Sequence, residues 1–222
     1  MDTQNQAGKA KKLNASGKEA AGKGDFQNAA VFFEKAAEIY ESIDDSINMG
    51  LELFSLGSCY HTLKKNDQAL FTYQKAYNLI ENNEILKELK AMILNNIGHL
   101  CVGSKNYKKA VSSFEKAYKI YENEKNENGK ALQLQNIGSV HRDLKESKKA
   151  LEAYFKSVSI FEKTGNRLGH ADQCTNIAYI YAVDNNGDKA LKWYKKAFNI
   201  YVDIHEDEKA NLTKKNIMQL EK

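Results

Sequence analysis

Small and apolar residues recur along the chain at helical spacing, and they recur in register. The segment Ala-x3-Phe/Tyr appears as Ala29/Phe33, Ala69/Tyr73, Ala110/Phe114, Ala150/Tyr154 and Ala190/Tyr194, with successive alanines 40, 41, 40 and 40 residues apart. A second motif precedes it at a constant offset: Leu53-x2-Leu56-Gly57-x2-Tyr60, Leu94-x2-Ile97-Gly98-x2-Cys101, Leu134-x2-Ile137-Gly138-x2-His141 and Cys174-x2-Ile177-Ala178-x2-Tyr181. The first copy of this motif is worn and keeps only Gly17 clearly. Residues at i, i+3, i+4 and i+7 share one stripe of a 3.6-residue helix, so each repeat reads as two helices. In the second helix Ala36, Ala76, Ala117, Ser157 and Ala197 follow the first alanine by seven. Such a small pair makes a notch into which the preceding helix can press its larger side chains. The gaps at Gly24-Asp25, Lys65-Asn66-Asp67, Lys105-Asn106, Glu146-Ser147 and Asn185-Asn186-Gly187-Asp188 carry turn and capping residues. Connections this short make the paired helices antiparallel neighbours.

With two motifs co-occurring five times, the sequence resembles the tetratricopeptide-repeat family. Two departures stand out: the period is 40 rather than the usual 34, and the chain has no proline. Together they look like the longer-helix branch of the family, seen in kinesin light chain, spindle-orientation adaptors and many bacterial regulators. The resemblance implies an all-α fold, a right-handed α-α superhelix (a tetratricopeptide solenoid) of five helix-turn-helix repeats. The repeats are placed at about 10–43, 44–83, 84–123, 124–163 and 164–203, after a flexible N-terminus over 1–9. Residues 206–221 read as a capping helix, because Ile217 repeats the register of Ile97, Ile137 and Ile177 among polar neighbours. Met218, where earlier repeats have Gly or Ala, would close the array there.

One polar position recurs as strictly as the core. An asparagine precedes the Ile of the first helix at Asn96, Asn136, Asn176 and Asn216, each 40 residues from the last. A side-chain amide offers one acceptor and two donors, which suits it to the N–H and C=O of an extended peptide. The resemblance places this position in the concave groove that contacts bound segments; otherwise it is a polar residue on a solvated face. Ser55 breaks the ladder, so the groove is expected to bind toward its C-terminal half. Ser58, His99, Ser139 and Tyr179 lie three residues further along the same helices, with Arg142 and Asp143 beyond Ser139. His99, Ser139, Arg142 and Tyr179 are the candidates for reading the ligand's side chains. Trp193 stands where the other repeats have Phe32, Thr72, Ser113 and Ala153, of which only Phe32 is comparably large, and is expected to pack on the capping helix, with an exposed anchor as the alternative.

Composition narrows the function further. The chain of 222 residues carries a net charge of +4, too slight for a nucleic-acid surface, and only Arg142 and Arg167 as arginines. Cys59, Cys101 and Cys174 are widely spaced and read as reduced and packed, with no zinc pattern. The five histidines form no HExxH, no phosphate loop appears, and no cofactor or metal is expected, His61 with His99 being the nearest approach to a ligand pair. Bacterial members of the resembling branch that dephosphorylate response regulators carry an extra N-terminal bundle, for which the residues ahead of the repeats leave no space. The carboxylate-clamp pattern for chaperone tails is not matched. Lacking a membrane-length apolar run or a secretory leader, the chain is expected in the cytoplasm. The reading is a non-catalytic scaffold holding an extended segment of another protein, the alternatives being a self-assembling or spacer array and, below that, an RNA-binding array.

Overall fold

The computed structural model describes residues 3–221. Eleven helices follow one another among them: α1 (Thr3–Gly22), α2 (Phe26–Ser42), α3 (Ser46–Thr62), α4 (Asn66–Ile80), α5 (Lys87–Gly103), α6 (Tyr107–Asn123), α7 (Glu127–Asp143), α8 (Ser147–Thr164), α9 (Arg167–Val183), α10 (Gly187–Asp203) and α11 (Asp207–Leu220). The fold is all-α, a helical repeat fold built of helix pairs. Two compact units divide between Ser104 and Lys105. The first contains α1 to α5 and the second α6 to α11.

The repeat length has a simple origin in the connections. A 17-residue helix such as α3, α7 or α9 joins the next helix through about three residues, and two such modules make the period of 40. In each connection the middle residue takes the left-handed conformation: Gly24, Asp44, Lys64, Lys105, Lys125, Lys145, Gly165, Asn185 and His205, with φ between 55° and 79°. The next residue's N–H then reaches back over the helix end, as from Lys65 to the Tyr60 carbonyl at 2.9 Å and from Asn186 to that of Tyr181 at 2.8 Å. These bonds satisfy carbonyls that would otherwise be orphaned at a helix C-terminus. Between α4 and α5 the pattern breaks. Helix α4 has 15 residues and the link runs over 81–86, which supplies the one extra residue between Ala69 and Ala110. There Asn83 Oδ1 accepts the N–H groups of Ile85 and Leu86, at 2.9 and 3.1 Å.

Capping at the helix starts differs in part from the sequence expectation. Asp25, Asn106 and Asn186 accept from the backbone three residues on, as do Asp45, Asn126 and Asn166 at starts the sequence reading had passed over. Asn66 and Ser147 instead lie inside the first turn, because the capping positions fall on Lys65 and Glu146, which make no side-chain cap. Helix α1 begins at Thr3, inside the segment 1–9 expected to be flexible, and no proline interrupts it. Met1 and Asp2 lie outside the described residues.

Packing follows the small-residue notches. Ala36, Ala76, Ala117, Ser157 and Ala197 are all fully buried. The conserved-register glycines let rings lie flat on the helix backbone: a Cβ at Gly57 would stand 2.8 Å from the Tyr73 ring, and one at Gly138 2.6 Å from Tyr154. Tyr73 and Tyr154 are buried through this contact, and Phe114 is buried as well, each ring contributing about 2–3 kcal/mol of apolar burial. The three cysteines are free and buried. Cys174 is pushed up to about 12 by burial, which makes it an inert packing residue. Helix α11 covers the last pair with Ala210, Thr213 and Ile217, and Met218 is left 54% exposed.

Candidate functional site

The first helices of the repeats carry the asparagines. In the first unit Asn96 sits half-buried on α5, within hydrogen-bonding reach of the Tyr73 hydroxyl on α4. That hydroxyl also lies 3.1 Å from Ser58 Oγ of α3. Burial pushes the Tyr73 phenol up, while its bonds to Ser58 and Asn96 pull it back. His99, one turn beyond Asn96, is exposed, and its pKa is lowered by its crowded surroundings and by the charge of His61 on α3. Among the described residues no three His, Cys, Asp or Glu side chains gather as a metal ion requires.

In the second unit Asn136 on α7, Asn176 on α9 and Asn216 on α11 are all half-buried. Asn176 Nδ2 points back to Gln173 Oε1 at 3.4 Å, so one rung is tied to its own helix. Ser139 Oγ lies 3.2 Å from the Tyr154 hydroxyl, repeating the Ser58–Tyr73 pair of the first unit. Arg142 binds Asp143 Oδ1 through Nε and Nη2, at 3.1 and 2.9 Å. Tyr154 thus ties Ser139 of α7 to α8, and Tyr179 on α9 is 47% exposed.

A second polar row escaped the sequence reading. Glu52, Gln133, Gln173 and Thr213 are buried, each five residues before the Gly57, Gly138, Ala178 and Met218 position. Gln173 Nε2 donates to Gln135 Oε1 at 2.7 Å, and Asn14 Nδ2 donates to both Glu52 oxygens at 2.8 and 2.9 Å. The signal was present, because Gln133, Gln173 and Thr213 recur at 40 residues as the asparagines do. Beside it, Asp172 Oδ1 accepts from the Tyr201 hydroxyl at 2.6 Å and from Lys209 Nζ at 2.7 Å, tying α9 to α10 and α11. Trp193 is half-buried, but its ring partner is Phe155 on α8, edge-on at 5.6 Å, rather than the capping helix alone.

On this arrangement of paired helices at a fixed period, family models for the tetratricopeptide repeat match residues 89–163 and 53–83. Residues 53–83 and 89–163 are tetratricopeptide repeats. Solved structures agree on the fold. The apo form of RapI superposes with a TM-score of 0.79 at 20% identity, over 86% of this chain and 53% of RapI. Aspartyl phosphate phosphatase F from Bacillus subtilis gives 0.77 at 19% identity, over 91% of this chain and 53% of the phosphatase. MamA gives 0.69 at 21% identity, over 89% and 94%. The chain thus spans about half the length of RapI and of phosphatase F. At such identities the likeness concerns the fold alone. No curated protein matches the sequence. Tetratricopeptide repeats make this a protein-interaction scaffold in general terms. No helix among the described residues is long and apolar enough to cross a membrane.

Proposed function

We propose that this tetratricopeptide protein is a non-catalytic cytoplasmic adaptor that holds an extended segment of another protein along the first helices α7, α9 and α11 of its second unit. The recurrence of Asn136, Asn176 and Asn216 at one position carries the reading: Gln133, Gln173 and Thr213 recur at the same period but are buried, whereas the asparagines keep part of their surface open to a ligand. Half-burial keeps these amides short of full hydration and fixes their direction, so a bound backbone replaces water at little entropic cost to the receptor. Ser139, Arg142 and Tyr179 flank the amides in the second unit and would choose the ligand's side chains, with a cation and an open ring for anchors. Asn96 and His99 offer the same pair on the first unit.

Affinity capture with the intact protein and with an Asn136→Ala/Asn176→Ala variant of equal helicity tests this, with captured proteins identified by mass spectrometry. Partners lost only by the variant support the adaptor reading and name the ligand. Identical capture by both removes the asparagines from any binding role.

A further inference from the structure

On the opposite side of the first-unit helix pairs lies a cleft that the adaptor reading does not use. It runs between the second helices α2 and α4 over a floor supplied by α3, with a volume of about 580 Å³. Met49, Leu53 and Leu56 form that floor, and Phe71 rises from α4 beside it with 70% of its surface exposed. The α2 wall is acidic. Glu34, Glu38 and Glu41 follow one another at spacings of four and three, one stripe about 10 Å long. Asp67 adds a fourth carboxylate, while Lys75, bonded to Glu41 at 3.4 Å, is the one cation among the described lining residues. This negative edge sits on a chain whose net charge is +4.

The second unit shows what such a cleft accommodates. By repeat register Glu34 corresponds to Phe155 and Thr72 to Trp193, the two rings that meet edge-on at 5.6 Å between α8 and α10. Where α8 and α10 fill this place with their own aromatics, the first unit has a carboxylate and a threonine and leaves it open. The cleft between α6 and α8 is smaller, about 370 Å³, and its charges are balanced: Glu115 and Glu152 against Lys149 and Lys156, the last two of which include the Glu152–Lys156 pair's lysine at 2.6 Å. The α2/α4 cleft, by comparison, combines an apolar floor and the exposed Phe71 with four carboxylates against one lysine.

We propose that the α2/α4 cleft docks a basic amphipathic helix of a partner protein. The helix sets a bulky apolar side chain over Thr72, in the place that Trp193 occupies in its own repeat, and two turns of lysine or arginine against Glu34, Glu38 and Glu41. A helix is the occupant because two helices flanking an apolar floor present ridges and grooves that a third helix matches. The charge stripe at spacings of four and three is itself the repeat of a helix face.

The test uses two synthetic amphipathic helical peptides with one Leu/Trp stripe, flanked by lysines in one and by glutamates in the other, titrated by fluorescence anisotropy. The lysine peptide is expected to bind the intact protein, to weaken with added salt, and to lose at least tenfold in affinity with Glu34→Lys/Glu38→Lys, two exposed positions, and with the plugged variant Glu34→Phe/Thr72→Trp. It is expected to bind Asn136→Ala/Asn176→Ala as it binds the intact protein. Absence of binding, equal binding of both peptides, or unchanged affinity in the Glu34→Lys/Glu38→Lys variant overturns the proposal. So does a dimer in sedimentation equilibrium that Glu34→Lys/Glu38→Lys dissociates, which would assign the cleft to a second copy of the chain.

Discussion

Gln173 on α9 and Gln135 on α7 are joined by an amide-to-amide hydrogen bond of 2.7 Å, and Gln173 is fully buried. The same step of 38 residues joins Asn14 to Glu52 in the first unit. Each bond links the first helices of neighbouring repeats at a fixed height, which apolar packing alone does not set. A double-mutant cycle with Gln135→Ala and Gln173→Ala is expected to show a coupling of about 1 kcal/mol in urea unfolding monitored by circular dichroism. Strict additivity of the two substitutions would remove the bond from the account.

The glycine contacts give a sharper effect. An added methyl at Gly138 stands 2.6 Å from Tyr154 Cε1, and the buried ring has nowhere to retreat. Gly138→Ala is expected to lower stability by about 2–3 kcal/mol through overpacking. In Gly8→Ala the methyl meets nothing within 4 Å, and the helical preference of alanine is expected to raise stability by about 0.5–1 kcal/mol. Thermal melts of the two variants, shifted in opposite directions, check both statements.

Much of this architecture is legible in the sequence because the recurring alanines, glycines and rings are the packing surface itself. Ala76 and Gly57 are small for the same reason that Tyr73 is large, and one repeat predicts the next. The left-handed turn residues are not legible in that way. Lys64, Lys125 and Lys145 have no preference for positive φ, and a connection of about three residues between two helices imposes it on them. Asn126 and Asn166 cap helices where the reading had looked only inside repeats. At the candidate site the positions of Asn96 and Asn136 are legible and their partners are not. The bond between Asn96 and the Tyr73 hydroxyl arises from how α4 and α5 pack. Trp193 shows the same limit, since its partner Phe155 lies 38 positions earlier and is itself an exception in its register.

Strain at the turns is open to direct test. Lys145 holds φ at 60° between α7 and α8. Lys145→Gly removes the clash of its Cβ with the backbone and is expected to stabilise the protein by about 1 kcal/mol. Lys145→Val is expected to destabilise it, because a β-branched residue fits this region worst. Chemical denaturation of both variants measures the two signs.

Glu52 ties stability to pH. Burial raises its pKa above the ordinary carboxylate value, with the Asn14 bond and the Lys18 charge pulling the other way. The folded state therefore holds the proton more tightly than the unfolded chain. This group's contribution falls as pH rises from the unfolded value through the folded one, and is least favourable where the carboxylate is ionised in both states. Glu52→Gln places there the residue found at Gln133 and Gln173, keeps an acceptor for Asn14, and removes the buried charge. It is expected to stabilise the protein at pH 8 by about 1 kcal/mol and to flatten the fall in stability that sets in as pH rises above the ordinary carboxylate value of about 4.3. A variant no more stable at pH 8 than the parent would show that the Asn14 bond fully compensates the charge.

The asparagine row remains the centre of the functional account, and a titration addresses it most directly. A synthetic peptide covering the segment captured from a partner is titrated by anisotropy against the intact protein and against Asn136→Ala/Asn176→Ala, with helicity matched by circular dichroism. Loss of at least tenfold in affinity, about 1.4 kcal/mol or more, with helicity unchanged is the predicted result. Affinities equal within about twofold, a difference below about 0.5 kcal/mol, would contradict the claim that these amides hold a ligand.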